Sequence, residues 1–372
     1  MFRRLVIFFK TSDWVLTLSI LLLLLVGLSA LYGSGKTSTE GYQNFVRQGL
    51  FAIVGFVVYI FFAGIDYRRL RSFSGVLYVL AIIFLLTVLF FGTTIRNTTG
   101  WFRIGSIGIQ PIELVKILWV IVMSAYLTNR GQRMSEWRNI AILGVFMLGI
   151  VALTMLQPDL GSALVVIGTT LVIMLITNIR ITRVLLIALL IVVIFIAGWF
   201  WFLQDYQKER IQVLFDPSLD PLGTGYHVTQ SIIAIGSGGW FGRGLGYGSQ
   251  SQLQFLPEQQ TDFIFAVIAE ELGFVGAGLV ILLFGLIIYR SVRIAIKSRD
   301  PFGTFIVYGV MLTVFFHVII NIGMNVGLFP VAGIPLPFVS AGGSSLLAMM
   351  MAFGIVQSVA MQVRHSGPPS RP

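Results

Sequence analysis

Asp262 lies at the end of a long polar stretch and at the start of an apolar run, Phe263 to Tyr289, long enough to cross a bilayer. A carboxylate at that boundary can act as a helix N-cap together with Thr261, complementing the positive end of the helix dipole. It can also act as a general base at lipid-headgroup level, taking a proton from a sugar hydroxyl. The two roles are compatible. Glu258, one turn earlier, and Glu270, two turns later, add further acid nearby on this reading, whereas Glu271 points almost opposite Asp262.

Other chemistry-bearing residues fall inside apolar segments. Glu113 and Lys116 are three apart, so they share a helix face either as a structural ion pair or as part of a substrate path. Asp159 follows Pro158 between two apolar runs, where it can cap the second of them. Thr313, His317, Asn321 and Asn325 recur every four residues as a polar stripe, suited to interhelical hydrogen bonds or to lining a substrate path. The SAGGSS segment, Ser340 to Ser345 and including Ser344, opens an apolar run with small residues. It suits either close helix packing or a phosphate at an open helix N-terminus. Arg47, Arg96, Arg103 and Arg243 supply scattered positive charge to the same side. Together they suit an amphiphile with an anionic head.

The elements that position these residues follow from composition. The 372-residue chain is 56% hydrophobic and 11% charged, too apolar for a surface solvated by water. Ten apolar runs are long enough to span a bilayer as helices, at about 12–32, 45–65, 73–91, 112–128, 138–156, 160–177, 181–203, 263–289, 303–327 and 340–363. They are continuous rather than alternating, which excludes a β-barrel. The fold class expected is an all-α polytopic membrane protein forming one domain, 1–372. A large extracytoplasmic loop of about 204–261 joins helices seven and eight, and a short disordered tail occupies about 365–372.

The net charge of +10 follows topology and does not call for nucleic acid. With the N-terminus cytoplasmic, inner connections carry Arg68, Arg69 and Arg71, then Arg130, Arg133 and Arg138, then Arg180 and Arg183, then Arg290, Arg293, Lys297 and Arg299. This pattern places both termini in the cytoplasm, after an uncleaved first helix preceded by Arg3, Arg4 and Lys10. There is no cysteine and there are three histidines, so thiolate chemistry is absent and a His-ligated zinc site is disfavoured. Outer segments are 92–111, the long 204–261 loop with an amphipathic-looking stretch from Lys208 to Phe215, and the apolar, proline-rich 328–339. The last is expected at membrane depth, packed on protein. The glycines of SGGWFGRGLGYG follow no strand and read as loop glycines.

QSQLQFLPEQQTDFIFAVIAEELG (250–273) resembles the SEDS family of shape, elongation, division and sporulation proteins, in the form found in its RodA-like elongation members. GWFRIGSIGIQPIELVKI (100–117), QPDLGSA (157–163), GSGGWFGRGLGYG (236–248) and NIGMNVGLFPVAGIPLPFVSAGGSSLL (321–347) extend the resemblance over all ten spans. It implies a peptidoglycan glycosyltransferase that polymerises lipid II at the outer face of the bacterial cytoplasmic membrane. The implied partners are a class B penicillin-binding transpeptidase and other elongation-complex membrane proteins. It also implies Asp262 as the catalytic carboxylate and Glu113 and Lys116 as functional residues. Gln260 stands where a His often occurs, so no role of that His transfers. No cofactor is certain; a divalent cation, Mg or Mn, is an option for neutralising the leaving diphosphate. A flippase for the lipid-linked precursor and a non-catalytic membrane scaffold are the alternatives.

Overall fold

The computed structural model describes residues 11–365, apart from 37–38, 96–97, 106, 178, 202–204, 217–218, 222, 254 and 257. Arg96, the basic residues before Thr11 and the tail after His365 therefore lie outside the described residues. Among the described residues there are ten long apolar helices: α1 Trp14–Gly35, α2 Thr39–Ala63, α3 Ser74–Phe91, α4 Pro111–Arg130, α5 Trp137–Leu156, α6 Leu160–Ile176, α7 Ile181–Trp201, α8 Ile264–Lys297, α9 Pro301–Asn325 and α10 Gly343–His365. Nine are at least 18 residues long and apolar enough to cross a membrane; α6, with 17, is slightly shorter. Their boundaries are set by local chemistry. Asp13, Asp159 and Asp300 accept hydrogen bonds from the first-turn N–H groups of α1, α6 and α9, and Pro111 and Pro301 begin α4 and α9.

Burial sorts the helices into a centre and a rim. In α4, 83% of the membrane-length window is buried inside the protein, against 11% in α7. A helix enclosed on all sides can carry ionisable groups at depth, and α4 is the one that holds Glu113 and Lys116.

Contacts place the ends of the bundle. Arg364 donates to the Ser12 carbonyl, Arg290 pairs with Asp13, and Arg68 lies 3.8 Å from Asp300, so the first and last described helices meet the basic connections at one end. Asp262, 261 residues from Met1 in sequence, sits in the turn that opens α8, at the other end.

Three features go beyond the sequence-based expectations. In the 92–111 segment, β1 (Thr93–Ile95), β2 (Thr98–Ile104) and β3 (Ile107–Ile109) form an antiparallel meander. The long loop contains helices Asp205–Phe215, Thr224–Ser237 and Ser249–Gln252. The third concerns α8, which is interrupted at Gly273, where φ is 68°.

That interruption explains the glycine-rich 236–248 segment. A helix break leaves carbonyls unpaired on one side and N–H groups unpaired on the other. Arg243 and Gly244 donate their N–H groups to the carbonyls of Glu270 and Glu271, and the N–H groups of Phe274 and Val275 donate to Gly239 and Trp240. The loop thus splints the broken helix. Gly242 has φ 78°, and a Cβ there would collide with the Glu271 carbonyl. Gly242→Ala is therefore expected to destabilise the protein by about 1–3 kcal/mol, seen as a lower thermal midpoint in detergent, because backbone strain and a clash with fixed main chain combine.

Glu270 belongs to the same splint. Its carboxylate accepts from the N–H groups of Gln250 and Ser251 at 2.8 and 3.1 Å. It holds the Ser249–Gln252 turn and does not add acid beside Asp262, correcting the expectation drawn from helical spacing.

Candidate active site

Asp262 lines a cleft whose walls come from five parts of the chain. Thr98 and Trp101 come from β2, Gln110 from the entry to α4, and Pro158, Asp159, Leu160 and Leu164 from the start of α6. Gln207, Arg210 and Ile211 come from the 205–215 helix, and Pro330 to Gly333 from the proline-rich strap. The cavity is about 90 Å³, room for a few waters and less than a sugar residue needs, so substrate entry requires the walls to part.

The backbone at Asp262 is fixed from several directions. The Glu258 carbonyl accepts from the N–H groups of Thr261, Asp262 and Phe263, closing a tight turn. Asn321 and Asn325 donate to the Asp262 carbonyl at 3.1 and 3.0 Å. Ser340 Oγ donates to the Thr261 carbonyl at 2.6 Å, and Ala341 N–H donates to the Gln260 carbonyl. Gln260 in turn accepts from Asn44 at 2.7 Å and donates to Ser34 at 3.2 Å. Helices α1, α2 and α9 and the segment entering α10 therefore hold one turn. A general base needs this kind of pre-organisation, since small misplacement is costly to rate.

The N-cap position of α8 falls on Phe263, which makes no side-chain cap bond, and the Ala266 N–H is taken by Asn325 Oδ1. Asn325, on α9, thus contributes to capping the start of α8. The carboxylate faces the strap: Oδ2 is 4.0 Å from where a Cβ on Gly333 would stand.

The structure divides the residues singled out in the sequence into three groups. Asp159 joins Asp262 in the cleft while also capping α6 through a 2.9 Å bond from Ser162 N–H; Gln110 reaches its other oxygen at 3.4 Å. Desolvation by the surrounding protein pushes the Asp159 carboxyl above the ordinary carboxylate range.

Glu113, Lys116 and Asn321 form the second group, behind the cleft. Lys116 Nζ lies 2.8 Å from Glu113 Oε1 and 2.8 Å from His317 Nε2, and all three side chains are buried. An ammonium only donates, so Nε2 accepts and the ring proton sits on Nδ1, 3.2 Å from the Pro335 carbonyl. Asn321 donates to the Ile334 carbonyl at 2.8 Å as well as to Asp262. The polar stripe therefore ties α4 and α9 to the strap, while Thr313 bonds back to its own helix at Gly309 and Asn325 also donates to the Asn321 carbonyl.

The remaining candidates lie away from the cleft lining. Arg47 is half-buried on α2, Arg103 is exposed on β2, and exposed Arg243 donates to Ser237 and Ser249 in the glycine-rich splint. Glu258 is exposed, at φ 53°, and accepts from Thr261. Ser344 accepts from the Gln110 N–H at 3.1 Å and donates to the Gly108 carbonyl at 3.2 Å. The Gly342 N–H is taken by Gln48. Instead of an open phosphate seat, the start of α10 is packed against α2 and β3.

Arg210 and Gln207 were not singled out from sequence. Arg210 lines the cleft and donates to the Val331 carbonyl at 3.2 Å. Residues 207, 210 and 211 share a face of a short helix at i, i+3 and i+4 spacing, the signal hidden in the amphipathic stretch.

A multi-pass helical membrane protein with a carboxylate cleft at one end of its bundle is the class that fold and site define. The chain belongs to the FtsW/RodA/SpoVE family of cell cycle proteins, whose model matches residues 10–365. It is 41% identical over 307 residues to the peptidoglycan glycosyltransferase MrdB of Escherichia coli strain K12, covering 82% of each chain. With the stage V sporulation protein E of Bacillus subtilis strain 168 it shares 36% identity over 368 residues, 96% of this chain and 99% of that one. Among solved structures it is similar to a chain from a peptidoglycan synthase complex that coordinates polymerization and crosslinking, with TM-score 0.78, 30% identity, and coverage of 95% and 98%. It also matches the rod shape determining protein RodA of Thermus thermophilus, with TM-score 0.69, 26% identity, and coverage of 94% and 96%.

Proposed function

We propose that this protein is a peptidoglycan glycosyltransferase that polymerises lipid II during cell elongation, with Asp262 as its general base. The observation that carries the reading is the Asp262 carboxylate in a cleft at the end of the bundle opposite the basic connections. The positive-inside rule makes that end extracytoplasmic. Similarity to glycosyltransferases along most of the chain supports the activity.

Asp262 takes the proton from the 4-hydroxyl of the acceptor GlcNAc as that oxygen attacks the anomeric carbon of the donor MurNAc. The bond to undecaprenyl diphosphate breaks, and the configuration inverts without a covalent enzyme intermediate. Arg210, lining the same cleft, is suited to hold the departing diphosphate, since a guanidinium matches phosphate oxygens and keeps its charge. Arg210→Ala is expected to lower kcat/KM about 10- to 100-fold, the worth of a charge-assisted hydrogen bond, with Arg210→Lys recovering part of it. Steady-state rates on labelled lipid II check this.

Among the described residues no group of three or more His, Cys, Asp or Glu side chains converges on a metal position. Asp159 and Asp262 fit only a cation that takes its remaining oxygens from diphosphate and water, as Mg²⁺ often does. Such an ion would add to the charge neutralisation that Arg210 supplies.

A carrier for the same lipid needs a site reachable from both faces. The Glu113–Lys116 pair is sealed, which favours the enzyme. A class B penicillin-binding transpeptidase as partner follows from the activity, because new glycan requires crosslinking. Purified protein incubated with fluorescent lipid II, alone and with such a transpeptidase, is expected to yield a ladder of glycan chains on a gel. Absence of polymer under both conditions, with lipid II appearing across liposome membranes, would make it a carrier.

A further inference from the structure

At the end of the bundle remote from Asp262, the C-terminal turns of α8 and α10 enclose a cavity of about 700 Å³, within the size range of ligand sites. It is lined by Arg290, Arg293, Lys297, Arg299 and Arg364 around a single carboxylate, Asp13, with Ile294 and Val363 among its apolar lining.

Positive-inside topology accounts for basic residues at this end, but not for their gathering around a hollow. Three of the arginines are already oriented by protein contacts. Arg290 pairs with Asp13, Arg293 donates to the Tyr289 hydroxyl at 3.1 Å, and Arg364 donates to the Ser12 carbonyl at 2.7 Å. A guanidinium has five N–H donors, so Arg293 and Arg364 keep donors for another acceptor. The two helix C-termini bring partial negative charge, which the five cations outweigh. Beside the rim, Ile296 is 67% exposed and Tyr289 51% exposed, an apolar and aromatic flank such as faces acyl chains at the membrane boundary.

We propose that this hollow binds the phosphodiester headgroup of an anionic phospholipid in the leaflet at the end that holds Ser12 and Arg364. Phosphate oxygens take the donors of Arg293, Lys297 and Arg364, and the acyl chains run along Ile296 and Tyr289. Basic hollows between transmembrane helices are suited to such headgroups, and each basic residue near an anionic surface contributes enough to change affinity several-fold. Inorganic phosphate shares the headgroup chemistry but gains nothing from the apolar flank.

The test uses full-length protein in nanodiscs holding phosphatidylglycerol, diphosphatidylglycerol and phosphatidylethanolamine, with the lipids retained on release read by native mass spectrometry. Wild type is expected to keep an anionic phospholipid in preference to the zwitterionic one. The combined Arg293→Gln, Lys297→Gln and Arg364→Gln variant is expected to lose that preference by roughly 100-fold. Lys297→Gln alone, an exposed change that leaves packing intact, is expected to lose about fivefold and covers the case in which the triple variant fails to fold. Equal retention of zwitterionic and anionic lipid by wild type, or undiminished preference in the folded variants, overturns the proposal. Displacement of the retained lipid by inorganic phosphate at the same concentration overturns the lipid assignment.

Discussion

Asp262→Asn should reduce glycan polymerisation by about 10²–10⁴-fold while leaving the thermal midpoint and lipid II binding close to wild type. The size follows from the contribution a positioned base makes to proton transfer, because an amide at the same place cannot accept the hydroxyl proton. Stability should be spared for a local reason. The bonds that fix this turn run through the Asp262 carbonyl, to Asn321 and Asn325, and through its N–H, to Glu258, all of which the amide variant keeps. A scaffold would show no loss of polymer. A misfolded variant would show a lowered midpoint. Rate, binding and melting measured on one preparation separate these outcomes.

Lys116→Met should act in the opposite way, on stability first. The Lys116 and Glu113 side chains are 1% and 2% exposed, so removing the ammonium leaves a buried carboxylate without its counter-charge. Breaking a buried pair from one side typically costs about 3–5 kcal/mol, a large share of the stability of most proteins. The double variant Glu113→Gln, Lys116→Met removes the stranded charge and is expected to recover much of the loss, seen as a thermal midpoint between single variant and wild type. The pair also bears on catalysis. Lys116 contacts His317, which reaches the Pro335 carbonyl, and Asn321 on the same helix holds both Ile334 and Asp262. Loosening the pair should therefore let the strap that walls the cleft shift, so the single variant loses rate even where it remains folded.

The ten helices were legible because lipid demands long apolar runs, and the basic connections announced which ends lie together. Asp262 stood out because it is a carboxylate at the edge of such a run, where a helix cap or a general base can be placed. The break at Gly273 was hidden because its unpaired groups are satisfied by Gly239, Trp240, Arg243 and Gly244, whose nearness no local pattern records. Spacing misplaced Glu270, since counting turns from Asp262 assumed a helix that begins only at Ile264. Arg210 was missed because it sits in a short polar helix whose contact with the strap, through the Val331 carbonyl, joins residues 121 apart in sequence. Ser344 looked like part of an open helix terminus because its partners, Gly108 and Gln110, come from more than 200 residues away.

The chain contains no cysteine, so Asp262→Cys introduces a single thiol, in a cleft that small oxidants can enter. Oxidised to the sulfinate, that side chain regains a negatively charged oxygen near the native position. Glycan polymerisation by the purified variant, measured before and after oxidation, is expected to rise from near background to a substantial fraction of wild type. Oxidation that is complete by mass spectrometry, in a variant that remains folded and lipid-bound, yet leaves the rate at background would contradict the role assigned to the Asp262 carboxylate.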